Sequence, residues 1–191
     1  MRKNLKPGSV LFPQPVYLLA TYDDNGEVDV MTMAWGGMCA MDLVSLNIGE
    51  GHRTTKNIKA RRCFTIALAD RKYLKEQDYF GTVSGNVVPD KFARTGLKAE
   101  KSRFVDAPVL SDFPVTADCV VEEIGKAGAE AHIMARIDNV SADESVLGAN
   151  GKIDAAKLNA YCFDMSDNRY FEVGKEIGPA FAHGEDTFPA K

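Results

Sequence analysis

Short runs of period-2 alternation, separated by turn residues and never by a long amphipathic helix, constrain this chain more than any other feature. Residues 16–22 (VYLLATY) are dense in aromatic and aliphatic side chains, the composition of a strand. The cluster 23–26 ends in Asn25 and Gly26, which supply the positive φ angles of a tight hairpin. A return strand from 27 to about 34 puts Val28, Val30, Thr32 and Ala34 on one face. Asp29, Met31, Met33 and Trp35 take the other. Alternation recurs over 42–48, 63–69, 115–121 and 130–139. Helical patterns fit only short stretches, 54–62, 73–80, 90–95 and 154–161, the last after a tight turn from Gly148 to Gly151. A parallel sheet needs a long crossover helix between strands, and none is written here. The pattern predicts a mainly β fold, an antiparallel barrel or sandwich with short helices in its connections.

The chain has 191 residues, enough for one domain with its own core. Lys and Arg number 23 against 27 Asp and Glu, a net charge of −4 that argues against a general nucleic-acid binder. No apolar run approaches the ~18 residues of a membrane span, and no apolar stretch follows the basic N-terminus as in a signal peptide. Cys39, Cys63, Cys119 and Cys162 form no C-x-x-C pair, and each lies in an apolar stretch, so four buried reduced thiols and no metal site are expected. A soluble cytoplasmic protein is the resulting expectation.

Three patches could carry chemistry. In the first, a strand ending at Ile48 runs into a turn containing Gly49, Gly51 and His52, then Arg53, Thr54 and Thr55 where a helix begins. The glycines let the backbone approach a ligand closely. A helix start offers free N–H groups and the positive end of its dipole, and arginine adds a planar fork of donors, so the site suits a phosphate. Arg53, Lys56, Lys59, Arg61 and Arg62 concentrate positive charge there. An ordinary N-cap with dipole-matched cations would look the same. The second patch is Thr32, Met33, Ala34 and Trp35 before the Gly36-Gly37 break, where a flat aromatic ligand could lie, or where a core strand simply meets a turn. The third is a glycine-rich loop with Ser84, Gly85 and Asn86, followed by Lys91. None of the three histidines sits in a hydrolytic motif, so any chemistry should come from a bound cofactor, with no catalytic side chain assigned.

In order and spacing these patches resemble the flavin reductase-like domain family, particularly its flavoredoxin-like branch. The likeness runs through 15–22, 31–35, 53–58, 63–68, 84–92 with Gly96 and Leu97, and 170–174. It implies an antiparallel Greek-key split β-barrel that binds FMN non-covalently, usually as a homodimer. It implies that Thr32, Met33, Ala34 and Trp35 line the isoalloxazine, and that Arg53, Thr54 and Thr55, in the turn with Gly51 and His52, hold the ribityl phosphate. Ser84, Gly85, Asn86 and Lys91 would close the site. The implied activity is an NAD(P)H-dependent flavin reductase. A flavoredoxin-type carrier fed by a redox protein, or a non-redox flavin-binding module, are the alternatives. The whole chain, 1–191, would be one domain, with 174–191 as a tail packing on the dimer partner through Phe181 and Phe188.

Overall fold

The computed structural model describes residues 1–181. Twelve strands and three α-helices follow one another among the described residues. The strands are β1 (Gln14–Pro15), β2 (Tyr17–Tyr22), β3 (Val28–Met33), β4 (Gly36–Met38), β5 (Leu43–Gly49), β6 (Cys63–Leu68), β7 (Ala99–Lys101), β8 (Pro108–Leu110), β9 (Val115–Ala127), β10 (Glu130–Ala142), β11 (Tyr161–Asp164) and β12 (Arg169–Glu172). The helices are α1 (Arg53–Arg61), α2 (Leu74–Thr82) and α3 (Lys91–Thr95). The mainly β, antiparallel expectation holds.

The main sheet has seven strands in the order β3-β2-β6-β9-β10-β5-β4. Every neighbouring pair is antiparallel. Its two edge strands, β3 and β4, are consecutive in sequence and joined by Ala34 and Trp35 alone. Three residue steps span at most about 11 Å. Seven strands laid flat would separate those edges by roughly 29 Å, at ~4.8 Å per strand. The sheet therefore curls until its edges nearly meet, a half-closed barrel split along the β3/β4 seam. The Trp35 carbonyl bridges to β5, accepting from the Asn47 N–H at 2.8 Å.

Two hydrophobic clusters lie on opposite faces of this sheet. Leu19, Met31, Met33, Leu46, Ile48, Phe64 and Ile133 belong to the barrel interior. Leu18, Ala20, Val30 and Ala67 pack outside it against Phe80 and Phe92 of α2 and α3. Burial on both faces explains why β2 is nearly all apolar.

Residues 154–161 do not form the expected helix. Asp154 accepts from the Ala156 N–H at 2.9 Å, an Asx-type turn that competes with helical bonding, and Leu147 bridges Ile153 across the Gly148–Gly151 turn. The chain then enters β11, which with β12 and β1 makes a separate three-stranded sheet. Strands β9 and β10 run well past their expected ends, because bulges near Met134 and Ile137 shift the alternation. Three cysteines are buried, but Cys39 is exposed in the β4–β5 turn rather than in the core. All four thiols are free. No helix among the described residues is long and apolar enough to cross a membrane. Phe188 and the rest of 182–191 lie outside the described residues.

Candidate functional site

A cavity of about 720 Å³ opens at the seam. The end of β3 and the link beyond it, from Met31 to Trp35, form one wall. Asn47, Ile48, Gly49 and His52 border it on the β5 side, and Asp78, Gly81 and Thr82 on the α2 side. The β11–β12 hairpin closes the far end with Phe163, Asn168 and Tyr170. The Thr32 hydroxyl donates to the Gln77 carbonyl at 2.6 Å, which ties β3 to α2. Gly81 brings the helix backbone against Thr32, where an added Cβ would already be in contact at 3.5 Å.

A smaller recess of about 130 Å³ adjoins this cavity and shares Met31, His52, Gly81 and Thr82 with it. Arg53, Thr54, Ser84, Gly85 and Lys91 also line it, with Phe80 and Val83 completing the wall. At its floor α1 begins with no side-chain cap and no acidic residue in the first turn. The first N–H groups of that helix are thus free for an anion.

The charged groups divide sharply. The Arg53 guanidinium pairs with Asp23 and donates to the carbonyls of Gly85 and Pro89, both at 3.1 Å. Lys56 pairs with Asp24, Lys59 with Glu50 and Arg61 with Asp106. Arg62 donates to the Val121 and Glu122 carbonyls. The positive patch expected from the sequence is therefore largely neutralised by carboxylates from other segments. Lys91 differs. It is 3% exposed, and among the described residues its ammonium donates only to the carbonyls of Phe80 (3.3 Å) and Val83 (3.0 Å), with no carboxylate in ion-pair contact. Burial lowers its pKa below the usual lysine range, partly countered by the charge of Asp29. Asp29 is itself buried, takes a 2.6 Å bond from the Thr54 hydroxyl, and leaves Oδ1 without a partner among the described residues. A Cβ on Gly85 would lie 2.4 Å from that oxygen, so only glycine lets the loop seat here.

Of the residues singled out from the sequence, Thr32, Met33, Ala34, Trp35 and His52 meet in the cavity. His52, Arg53, Thr54, Ser84, Gly85 and Lys91 meet in the recess. Gly51, Thr55 and Asn86 line neither. The Thr55 hydroxyl donates back to the Gly49 carbonyl at 2.8 Å, and the Asn86 amide to the Gly51 carbonyl at 2.8 Å, so these three brace the turn from behind. Sequence reasoning missed Asp78, Glu130, Phe163, Asn168 and Tyr170. Asp29 carried a usable signal, a carboxylate on the same strand face as Met31 and Met33.

Residues 9–157 match the model of the flavin reductase like domain. The fold superimposes on the flavoredoxin of Desulfovibrio vulgaris (Miyazaki F) with a TM-score of 0.91 and 30% identity, over 96% of this chain and 100% of that one. The flavoredoxin of Methanosarcina acetivorans gives 0.89 and 22% identity, over 98% and 99% of the two chains. Among curated sequences, an uncharacterized protein of Aeropyrum pernix is 22% identical over 121 residues, 62% of this chain and 46% of that protein, so the match spans about half the length of that relative. The curled, seam-split antiparallel sheet is the split barrel that the sequence resemblance implied. The chain belongs to the flavin reductase-like domain family.

Proposed function

We propose that this chain holds FMN without a covalent bond and works as a flavoredoxin-type electron carrier. The observation that carries the reading is the junction of two unlike hollows. A small recess with an uncapped helix start and the buried Lys91 opens into a larger cavity with an apolar β3 wall. A buried cation with only carbonyls in hydrogen-bond contact and Asp29 as a non-contacting charge is costly unless an anion completes the site. A ligand with a phosphate at one end and a flat ring at the other satisfies both hollows, so the residues present fit FMN. A phosphate-type cluster at one helix start, that of α1, favours FMN over FAD.

The N–H groups at the start of α1 and the Lys91 ammonium would bind the phosphate. Met31 and Thr32 to Trp35 would hold the ring at the seam, and Gly81 lets it approach α2 closely. The loop with Ser84 and Gly85, pinned by Arg53, would cover the phosphate and exclude water. Bound FMN supplies the redox chemistry. The protein's part is alignment, so no acid–base residue is assigned.

The whole-length likeness to the Desulfovibrio flavoredoxin supports the carrier, whose electron donor would be a redox protein. An NAD(P)H-dependent flavin reductase is the second reading, favoured by the room at the hairpin end of the cavity. The four free thiols suit the reducing cytoplasm.

Anaerobic spectroscopy of the purified, FMN-reconstituted chain tests this. A carrier keeps its flavin through gel filtration when reduced and reacts slowly with NADH and NADPH. Rapid reduction by either nucleotide selects the reductase. Failure to bind any flavin overturns both readings.

A further inference from the structure

The hairpin end of the large cavity has its own composition. Phe163, Asn168 and Tyr170 line that cavity but not the recess, whereas Met31, His52, Gly81 and Thr82 line both. A ligand anchored in the recess would pass the four shared residues and leave the hairpin end open to a second ligand. Tyr170 is held there from three sides. Its ring meets Tyr161 edge-on at 5.1 Å and Phe163 at 5.6 Å, and its hydroxyl donates to Asp78 Oδ1 on α2 at 2.9 Å. Burial, reinforced by Asp78, raises the phenol to about 12, so it stays protonated at neutral pH with its one proton committed to that carboxylate. Asp78 Oδ2 has no partner among the described residues, and can accept from a ligand N–H.

The charge inventory has one sign. Asp78 and Glu130 line the cavity, and neither Lys nor Arg does. The recess holds Arg53 and Lys91 instead.

We propose that the hairpin end is a second-ligand subsite selective by charge, with Tyr170 as the platform for a planar ring and Asp78 as the carboxylate that admits neutral or cationic rings and turns away anionic ones. The proposal deepens the flavoprotein reading, and rests on it only in assigning the remainder of the cavity to the flavin. Like charges facing each other inside a cavity are strongly unfavourable, which makes an acidic wall an effective filter against ring acids.

Three probes with the same ring separate charge from shape: nicotinamide (neutral), 1-methylnicotinamide (cationic) and nicotinate (anionic). Trp35, the single tryptophan of the chain, lines the cavity and reports binding to flavin-free protein by its fluorescence. Flavin absorbance reports binding to FMN-loaded protein. The wild type should bind the neutral and cationic rings at least about tenfold more tightly than nicotinate. Asp78→Asn keeps the shape and the acceptor for Tyr170, and should shrink that gap to about threefold or less. Tyr170→Leu should weaken all three probes. Nicotinate binding the wild type as well as nicotinamide does, an undiminished gap in Asp78→Asn, or no ring binding to either form overturns the proposal. Should the protein prove unable to hold flavin, the Trp35 titration still decides the subsite, so the two failures are told apart.

Discussion

Lys91 and Arg53 share the recess but answer to different partners. The Arg53 charge is already matched by Asp23, and its donors hold the 85–89 loop in place. Lys91 faces only carbonyls. The sequence alone made Arg53 the first choice for a phosphate ligand, since a turn residue flanked by glycine has no evident packing role. On the proposed reading Lys91, which no carboxylate pairs among the described residues, is the better candidate. Lys91→Met keeps the length and apolar packing and removes the charge. It should weaken FMN by about tenfold to a hundredfold, the loss of a charge-assisted bond of roughly 1.5–3 kcal/mol, and leave riboflavin, which has no phosphate, nearly unaffected. Paired titrations with the two flavins check this, and equal weakening of both would remove Lys91 from the phosphate. Arg53→Ala should behave differently. It removes the Asp23 ion pair and the donors to two carbonyls, so a stability loss of about 1–3 kcal/mol is expected, with FMN and riboflavin weakened together as the loop loosens. Thermal melting should show it at about 2–4 °C per kcal/mol for a chain of this size. Selective loss of FMN with an unchanged melt would instead put the guanidinium on the phosphate.

Helix α1 and the segments that meet its start act as a unit whose response to pH follows from Lys91. Burial depresses its pKa from 10.5, so between the lowered value and 10.5 the unfolded chain binds more protons than the native one. Stability contributed by this group therefore rises with pH across that window. Phosphate binding favours the charged ammonium, so the preference for FMN over riboflavin should fall as pH climbs through the same window. The ring's own ionisation is common to both flavins and cancels in the ratio. A ratio that stays flat from about pH 7 to 10.5 in the wild type, or one that still falls in Lys91→Met, would show that another group titrates. The same elements show what was readable beforehand. Strands β2, β3, β5 and β6 stood out because each alternates or is continuously apolar between clear turns. The ends of β9 and β10 did not, because bulges break the alternation that marks a strand. Hairpin β11–β12 was not read as strands, and only 170–174 entered, through family resemblance, since a stretch such as RYFE has no apolar period. The Tyr170–Asp78 bond joins positions 92 apart, and nothing local in either segment announces the other. The cations of α1 were visible, but, apart from Glu50 in the turn just before the helix, the carboxylates that pair with them come from distant turns.

At the scale of the whole molecule, the seam leaves apolar side chains uncovered. Trp35 is 54% exposed, and Met38 and Met41, which follow it along β4 and its turn, are 57% and 96% exposed. Leu11 and Phe12 of the N-terminal arm are 78% and 54% exposed. Scattered apolar residues on a surface need no explanation, but Trp35 lines the cavity and Met38 and Met41 follow it closely in the chain. Full burial of each large apolar side chain is worth about 1.5–3 kcal/mol, so a second copy seated over the seam would gain directly by covering them. It would also close the ring end of the site, which links assembly to flavin binding. The expected species is a homodimer, as family membership also leads one to expect. Light scattering at micromolar concentration should give twice the 20.9 kDa chain mass. The double variant Met38→Glu, Met41→Glu places two carboxylates in that interface and should shift the mass to a single chain. FMN affinity should fall with it, although neither methionine lines the recess or the cavity. A wild-type mass of one chain would refute the dimer. A variant that stays dimeric with wild-type FMN affinity would place the interface on another face and uncouple it from the seam.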